Sequence, residues 1–105
     1  MKPVVWSQAA KRDTNEAAHW YANQGGLPLG ERFLTQVEAA LDHISAHPQT
    51  GSTRYGMLLK IDELRFWPVN DFPYLVFYVE RPARVDVWRV LHTQRDVPTW
   101  IGKSG

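Results

Sequence analysis

A chain of 105 residues with a formal net charge of +1 and no cysteine has room for one hydrophobic core, and it excludes disulfides, zinc–thiolate sites and thiol catalysis. Hydrophobic residues make up 44% of it and aromatics 12%, too much apolar surface for a disordered chain, while so small a net charge gives no strong direct nucleic-acid signal. No stretch approaches the roughly 20 apolar residues that a membrane helix needs, and Met1-Lys2-Pro3-Val4-Val5-Trp6-Ser7 lacks the apolar region of a signal peptide, so the expectation is a cytoplasmic protein without a membrane partner.

Pro3-Val4-Val5-Trp6 is β-branched and aromatic and reads as a strand. Ser7 suits a helix N-cap, because its hydroxyl can accept an orphan backbone N–H. Residues 8–24 are rich in helix formers, and Ala10, Ala17, Trp20 and Tyr21 give an apolar stripe that Asp13 and Thr14 interrupt. Gly25-Gly26 ends this helix and Pro28 suits the first turn of the next. There Phe33, Val37, Ala40, Leu41 and Ile44 recur at spacings of three and four, the clearest helical face in the chain, until Pro48 stops it. Two helices joined by so short a glycine link form an antiparallel hairpin.

Residues 47–60 open as a loop by their Pro, Gly, Ser and Thr content, and Met57 to Ile61 are expected to begin a strand. Three strands follow, over 64–67, 72–79 and 84–91, with turns short enough to require antiparallel pairing. The tail over 96–101 is expected to form one irregular turn that lays Trp100 on the core. The sum is one α+β domain over residues 1–105: an N-terminal strand, an antiparallel helical hairpin, then a three-stranded antiparallel meander, all in one sheet (β-α-α-β-β-β). The hairpin covers one face of the sheet. Only the tail remains for the other, which is therefore expected to present an uncovered apolar groove.

The polar residues gather near the end, in Arg89-Val90-Leu91-His92-Thr93-Gln94-Arg95-Asp96. With Arg65, and with Tyr78 nearby, Arg89, His92 and Arg95 could form a catalytic cluster: cations to meet an anion and, in His92, an acid or base whose ordinary pKa is near neutrality. Lysines are sparse here, with Lys60 before the strands and Lys103 in the tail. A structural reading of the same cluster pairs Arg89 with Asp96 and hydrogen-bonds His92 to a carbonyl at the strand end. His43 and His47 stand four apart, a spacing that can hold a metal on a helix, but no third ligand accompanies them. No metal and no cofactor is expected, since glycine-rich phosphate loop, nucleophile elbow and carboxylate pair are all missing.

The order of elements and four stretches of sequence resemble the ParE branch of the RelE/ParE toxin superfamily of bacterial type II toxin–antitoxin systems. These are the opening strand with Ser7, Ala10 and Asp13; Ile44 with His47-Pro48 and Gly51; Leu64-Arg65-Phe66 with Pro68-Val69 and Phe72-Pro73-Tyr74-Leu75-Val76-Phe77-Tyr78; and Arg89-Val90-Leu91-His92 with Arg95-Asp96 and Pro98. Thr14, where the family usually has leucine, and Trp67, inside the strand motif, depart from the pattern. The resemblance implies a growth-inhibiting, plasmid-stabilising toxin neutralised by a cognate, ParD-like antitoxin and directed at DNA gyrase. It acts by binding, with no catalytic residue of its own. Arg65, Arg89, His92 and Arg95 are the candidate target contacts, and Trp20, Phe33, Val37 and Leu41 the candidate antitoxin contacts. The alternative is a ribosome-dependent mRNA endoribonuclease of RelE type that uses Arg65, Arg89 and His92. A third reading is a relic that binds antitoxin and harms nothing.

Overall fold

The computed structural model describes residues 1–104, with side chains through Trp100; the side chain of Lys103 lies outside the described residues. The elements run β1 (Val4–Trp6), α1 (Gln8–Gly25), α2 (Leu27–Ala46), a 3₁₀ turn (Pro48–Thr50), α3 (Arg54–Leu59), β2 (Leu64–Pro68), β3 (Tyr74–Glu80), β4 (Val85–His92) and α4 (Val97–Ser104). They form one mixed sheet in the order β1-β4-β3-β2. The last three strands are an antiparallel meander, as the α+β reading expected, and β1 lies parallel to β4.

The hairpin forms where its local chemistry places it. The Ser7 hydroxyl oxygen accepts the Ala10 N–H at 3.0 Å, capping α1, while its own O–H donates to the Trp88 carbonyl at 2.7 Å and ties that cap to the sheet. Gly26, at φ 95°, ends α1 and opens α2 in a single residue. Gly30 lets the helices close on each other, since a Cβ there would lie 2.7 Å from the Ala18 carbonyl oxygen. Thr14, which breaks the apolar stripe, is buried all the same: its hydroxyl donates to the Ala10 carbonyl at 2.9 Å, so no polar group is stranded. On this side Phe33, Val37 and Ile44 pack with Val76, Tyr78, Val85, Val87 and Val90.

The other sheet face corrects two expectations. Residues 57–61 do not begin a strand: Arg54–Leu59 form helix α3, closed by Lys60 in the left-handed conformation at φ 58°. The tail is a helix, α4, rather than an irregular turn. Together α3 and α4 cover the face that was expected to stay bare. Leu64, Leu75, Phe77, Val79, Leu91 and Val97 form a second core there, with Tyr55, Leu59, Ile61, Trp88 and Trp100 packed against it. The apolar residues of β2 to β4 needed a cover, and the only chain long enough to supply it lay before β2 and after β4.

One irregularity sets up the C-terminal end. Phe77 pairs with Arg89 but Tyr78 pairs with Val87, so Trp88 is an extra residue in β4, a β-bulge. Beyond the bulge the alternation inverts: Val85 and Val87 face the hairpin before it, Val90 faces the hairpin after it, and Leu91 turns to the second core.

Candidate functional site

Because β1 is only three residues long, it covers β4 no further than Val87. Past that point the outer edge of β4 faces α1 on one side and the start of α4 on the other. The result is a groove of about 530 Å³ lined by, among others, Asp13, Glu16, Trp20, Arg89, Arg95 and Trp100. An exposed strand edge invites pairing with another chain, and here two carboxylates close it. The Val90 N–H donates to Asp13 Oδ2 at 3.0 Å, and the His92 N–H donates to Asp96 Oδ2 at 3.1 Å.

The cations of the groove are held by the same carboxylates. Arg89 makes a two-pronged pair with Asp13, Nε to Oδ2 at 2.8 Å and NH2 to Oδ1 at 2.9 Å. The Asp13 hydrogen bonds hold its guanidinium more firmly protonated than usual against the opposing effect of burial, and the charges of Asp96 and Glu16 add to this. The expected Arg89–Asp96 pair is therefore replaced by Arg89–Asp13. Asp96 instead takes Arg95, whose Nε lies 3.1 Å from Oδ1 and whose NH2 donates to the Tyr74 hydroxyl at 3.1 Å. Burial pushes the Asp96 carboxyl up, but the hydrogen bonds from Arg95 and the His92 amide outweigh it, so the group sits below the usual carboxylate range. Burial pushes Tyr74 up, with Arg95 pulling against it.

His92 does not bond a carbonyl. Its Nδ1 accepts the backbone N–H groups of Gln94 and Arg95, both at 3.1 Å, and its ring stands edge-on to Tyr74 at 5.3 Å. An accepting Nδ1 places the ring proton of the neutral form on Nε2. The side chain thus closes the turn into α4.

Arg65 stands apart from this group. It pairs in register with Tyr78, whereas Arg89 pairs with Phe77, and those neighbours point to opposite faces of β3. Arg65 donates to the carbonyls of Gln49 at 3.1 Å and Gly51 at 2.8 Å. Tyr78 is buried and pins the same loop, donating to the Pro48 carbonyl at 2.7 Å and accepting the Gly51 N–H at 3.1 Å. The fold therefore gathers Arg89, His92 and Arg95 where β4 runs into α4, and leaves Arg65, on β2, and Tyr78, on β3, as supports of the 48–52 loop.

Of the candidate antitoxin contacts, Phe33 and Val37 are 0% and 1% exposed, so in this fold they offer no surface to a partner. Leu41 is partly buried against the same core, and Trp20 is half exposed on the groove wall. Tyr21 turns inward between Phe33 and Phe72. His43 stacks on Trp67 at 3.8 Å and hydrogen-bonds Thr50 through Nε2, with His47 5.4 Å away ring to ring. Among the described residues no three His, Cys, Asp or Glu side chains gather to hold a metal, and no helix is long and apolar enough to cross a membrane. The clamp of Asp13 and the presence of Glu16 beside it went unread in the sequence. The signal was there: Asp13, Glu16, Ala17 and Trp20 fall at spacings of three, four and seven, one face of α1.

A family model described as the ParE toxin of the type II toxin–antitoxin system parDE matches residues 4–97. The chain belongs to the ParE toxin family. A solved structure described as the chromosomal ParDE TA system from P. aeruginosa has the same fold, with a TM-score of 0.75 at 11% identity over 90% of this chain and 98% of that one. No curated protein matches the sequence. This ParE protein is thus the toxin of a toxin–antitoxin pair, and such a system implies an antitoxin partner. Its two departures from the family pattern are both accommodated within the fold, Thr14 by its own helix and Trp67 under His43.

Proposed function

We propose that this ParE toxin acts by binding DNA gyrase in the cytoplasm, stalling replication and growth, and that a ParD-like antitoxin neutralises it by folding along the hairpin and the sheet. In its cell the pair would serve plasmid stabilisation. The observation that carries the binding reading is the state of Arg89. It is engaged two-pronged by Asp13 and lies within the fields of Asp96 and Glu16. A phosphate-cleaving site needs cations free to meet the charge that develops on phosphate, and this arginine is already answered by carboxylates. The turn-closing hydrogen bonds of His92 support the same reading.

Plasmid supercoiling by gyrase, scored for cleaved DNA, and mRNA integrity in a translating extract test the proposal on the same preparation. Inhibited supercoiling with intact mRNA is the expected result. Cut mRNA with unaffected gyrase would overturn it, and loss of that cutting in His92→Ala would then identify the acid or base.

A further inference from the structure

The turn that carries β4 into α4 hangs on one lone pair. Nδ1 of His92 accepts the backbone N–H groups of both Gln94 and Arg95, each at 3.1 Å, and only an unprotonated nitrogen can do this. A proton added to the neutral ring goes to Nδ1, because Nε2 already carries one. The imidazolium then sets an N–H against two N–H groups, three donors with no acceptor among them. An imidazole ordinarily takes that proton near pH 6.5. Gln94 and Arg95 are exposed, so water can receive their N–H groups once the ring lets go, and release does not unfold the chain.

The charged ring also has an acceptor within the turn. Asp96 Oδ2 lies 3.1 Å from the backbone nitrogen of the same His92, and the charge of the ring acts on that carboxylate. Asp96 sits below the usual carboxylate range, so it is still an anion where an imidazole titrates. The other groups about the ring do not compete for its proton. Tyr74 of β3 stands edge-on to it at 5.3 Å, with its hydroxyl accepting from Arg95. The Arg95 guanidinium, on Asp96 Oδ1 at 3.1 Å, is a second cation. From α1, Asp13 is committed to Arg89 and the Val90 amide, and Tyr21 packs on Tyr74 at 6.2 Å.

We infer that residues 92–95 form a proton-operated latch with two arrangements. In the closed one, neutral His92 holds the main chain of Gln94 and Arg95 through Nδ1. In the open one, protonated His92 releases both amides and donates from Nδ1 to the Asp96 carboxylate, which it shares with Arg95. The sign follows from the lone pair: the latch is closed above the imidazole range and opens as pH falls through it. Helix α4 stays seated meanwhile, because the Trp100 amide rests on the Asp96 carbonyl and not on the ring. Arg95 lines the groove opposite Asp13, so mild acidification loosens that wall while the hairpin wall stands. The inference depends on no reading of the toxin's target.

Nuclear magnetic resonance on the full, isotopically labelled chain from about pH 8 to about pH 5 tests the latch. At the upper end the ring nitrogens of His92 should report Nδ1 bare and Nε2 protonated. The Gln94 and Arg95 amide resonances should then move in step with the titration of that ring. Their protection from exchange should fall about tenfold, while the Trp100 amide does not respond. His92→Asn sets an amide oxygen near the position of Nδ1 and takes no proton, so both amides should stay bonded and unmoving across the range. His92→Ala should leave both unprotected at every pH. The wild-type measurements decide the matter even where a variant fails to fold. A neutral ring protonated on Nδ1, or Gln94 and Arg95 amides that ignore the ring's titration, would overturn the inference. So would the same pH response in His92→Asn, which would assign it to His19, His43 or His47 instead.

Discussion

Asp13 makes three hydrogen bonds at once, two from Arg89 and one from the Val90 amide, and joins α1 to the unprotected edge of β4. Truncation in Asp13→Ala leaves a guanidinium and an amide to water. Since the Arg89 side chain is 34% exposed, water can answer part of the loss, and the cost should be roughly 1.5–3 kcal/mol. Asp13→Asn keeps an oxygen for the Val90 N–H and should cost about half as much. Urea unfolding at constant m-value measures both, and equal costs would mean that the Val90 cap contributes nothing. The second sensitive residue is Tyr78. Its hydroxyl serves the Pro48 carbonyl and the Gly51 N–H together, and a Cβ at Gly51 would run into that hydroxyl and lie 2.9 Å from the Phe66 carbonyl oxygen. Tyr78→Phe should cost roughly 1–3 kcal/mol and raise hydrogen exchange at the Gly51 amide, while exchange in α1 stays protected. Sequence grouped Arg65 with Arg89, His92 and Arg95, and the fold keeps only the last three together, where β4 runs into α4. Sequence could not supply Asp13 as the partner of Arg89, because the two are 76 positions apart and no local pattern relates them.

The elements that local signals could specify were legible: the Ser7 cap, the Gly25-Gly26 break and the apolar face of α2 each carry their own physics. Helix α3 was not. It is six residues long, with Tyr55 and Leu59 packed inward and Met57 and Leu58 outward, and so short an apolar run carries no usable period. Only the sheet beneath it decides that it is a helix. Helix α4 depends in the same way on what precedes it. The Trp100 amide donates to the Asp96 carbonyl at 3.0 Å, while the Asp96 carboxylate holds the His92 amide and Arg95. The Asp96 carboxyl is lowered in the folded state, so its contribution is complete above the ordinary aspartate value of about 3.9 and fades as pH falls through the lower folded value. Protection factors of the Trp100 amide should therefore drop below about pH 4. In Asp96→Ala they should be low already at neutral pH, at a stability cost of about 1–2 kcal/mol, and acidification should lower them no further. Continued acid loss in that variant would assign the effect to another group, with Asp86, also lowered by its hydrogen bond to Arg84, the first to examine.

At the scale of the whole molecule the sheet is a plate between two cores, and β3 belongs to both. Tyr74, Val76 and Tyr78 enter the hairpin core, while Leu75, Phe77 and Val79, alternating with them, enter the core under α3 and α4. Neither core can lose its part of β3 without uncovering the other, so the chain should unfold in one transition. Fluorotryptophan labelling reads the two sides separately, through Trp6 and Trp67 on the hairpin side and Trp88 on the other. Their urea midpoints should coincide. Phe77→Ala, which empties a fully buried site of the second core, should cost about 3–5 kcal/mol and move the Trp6 and Trp67 midpoints as far as that of Trp88. The bulge at Trp88 makes this coupling matter for the groove, since it turns Leu91 into the second core while leaving Val90 on the hairpin side, at the groove's floor. Asp13 and Trp20 reach that groove from the hairpin, Arg95 and Asp96 from the turn into α4. If the Trp88 side melted first, the groove would come apart while the hairpin still stood, and its persistence would be set by the weaker core alone. A shared midpoint means that both walls of the groove persist for as long as the protein is folded.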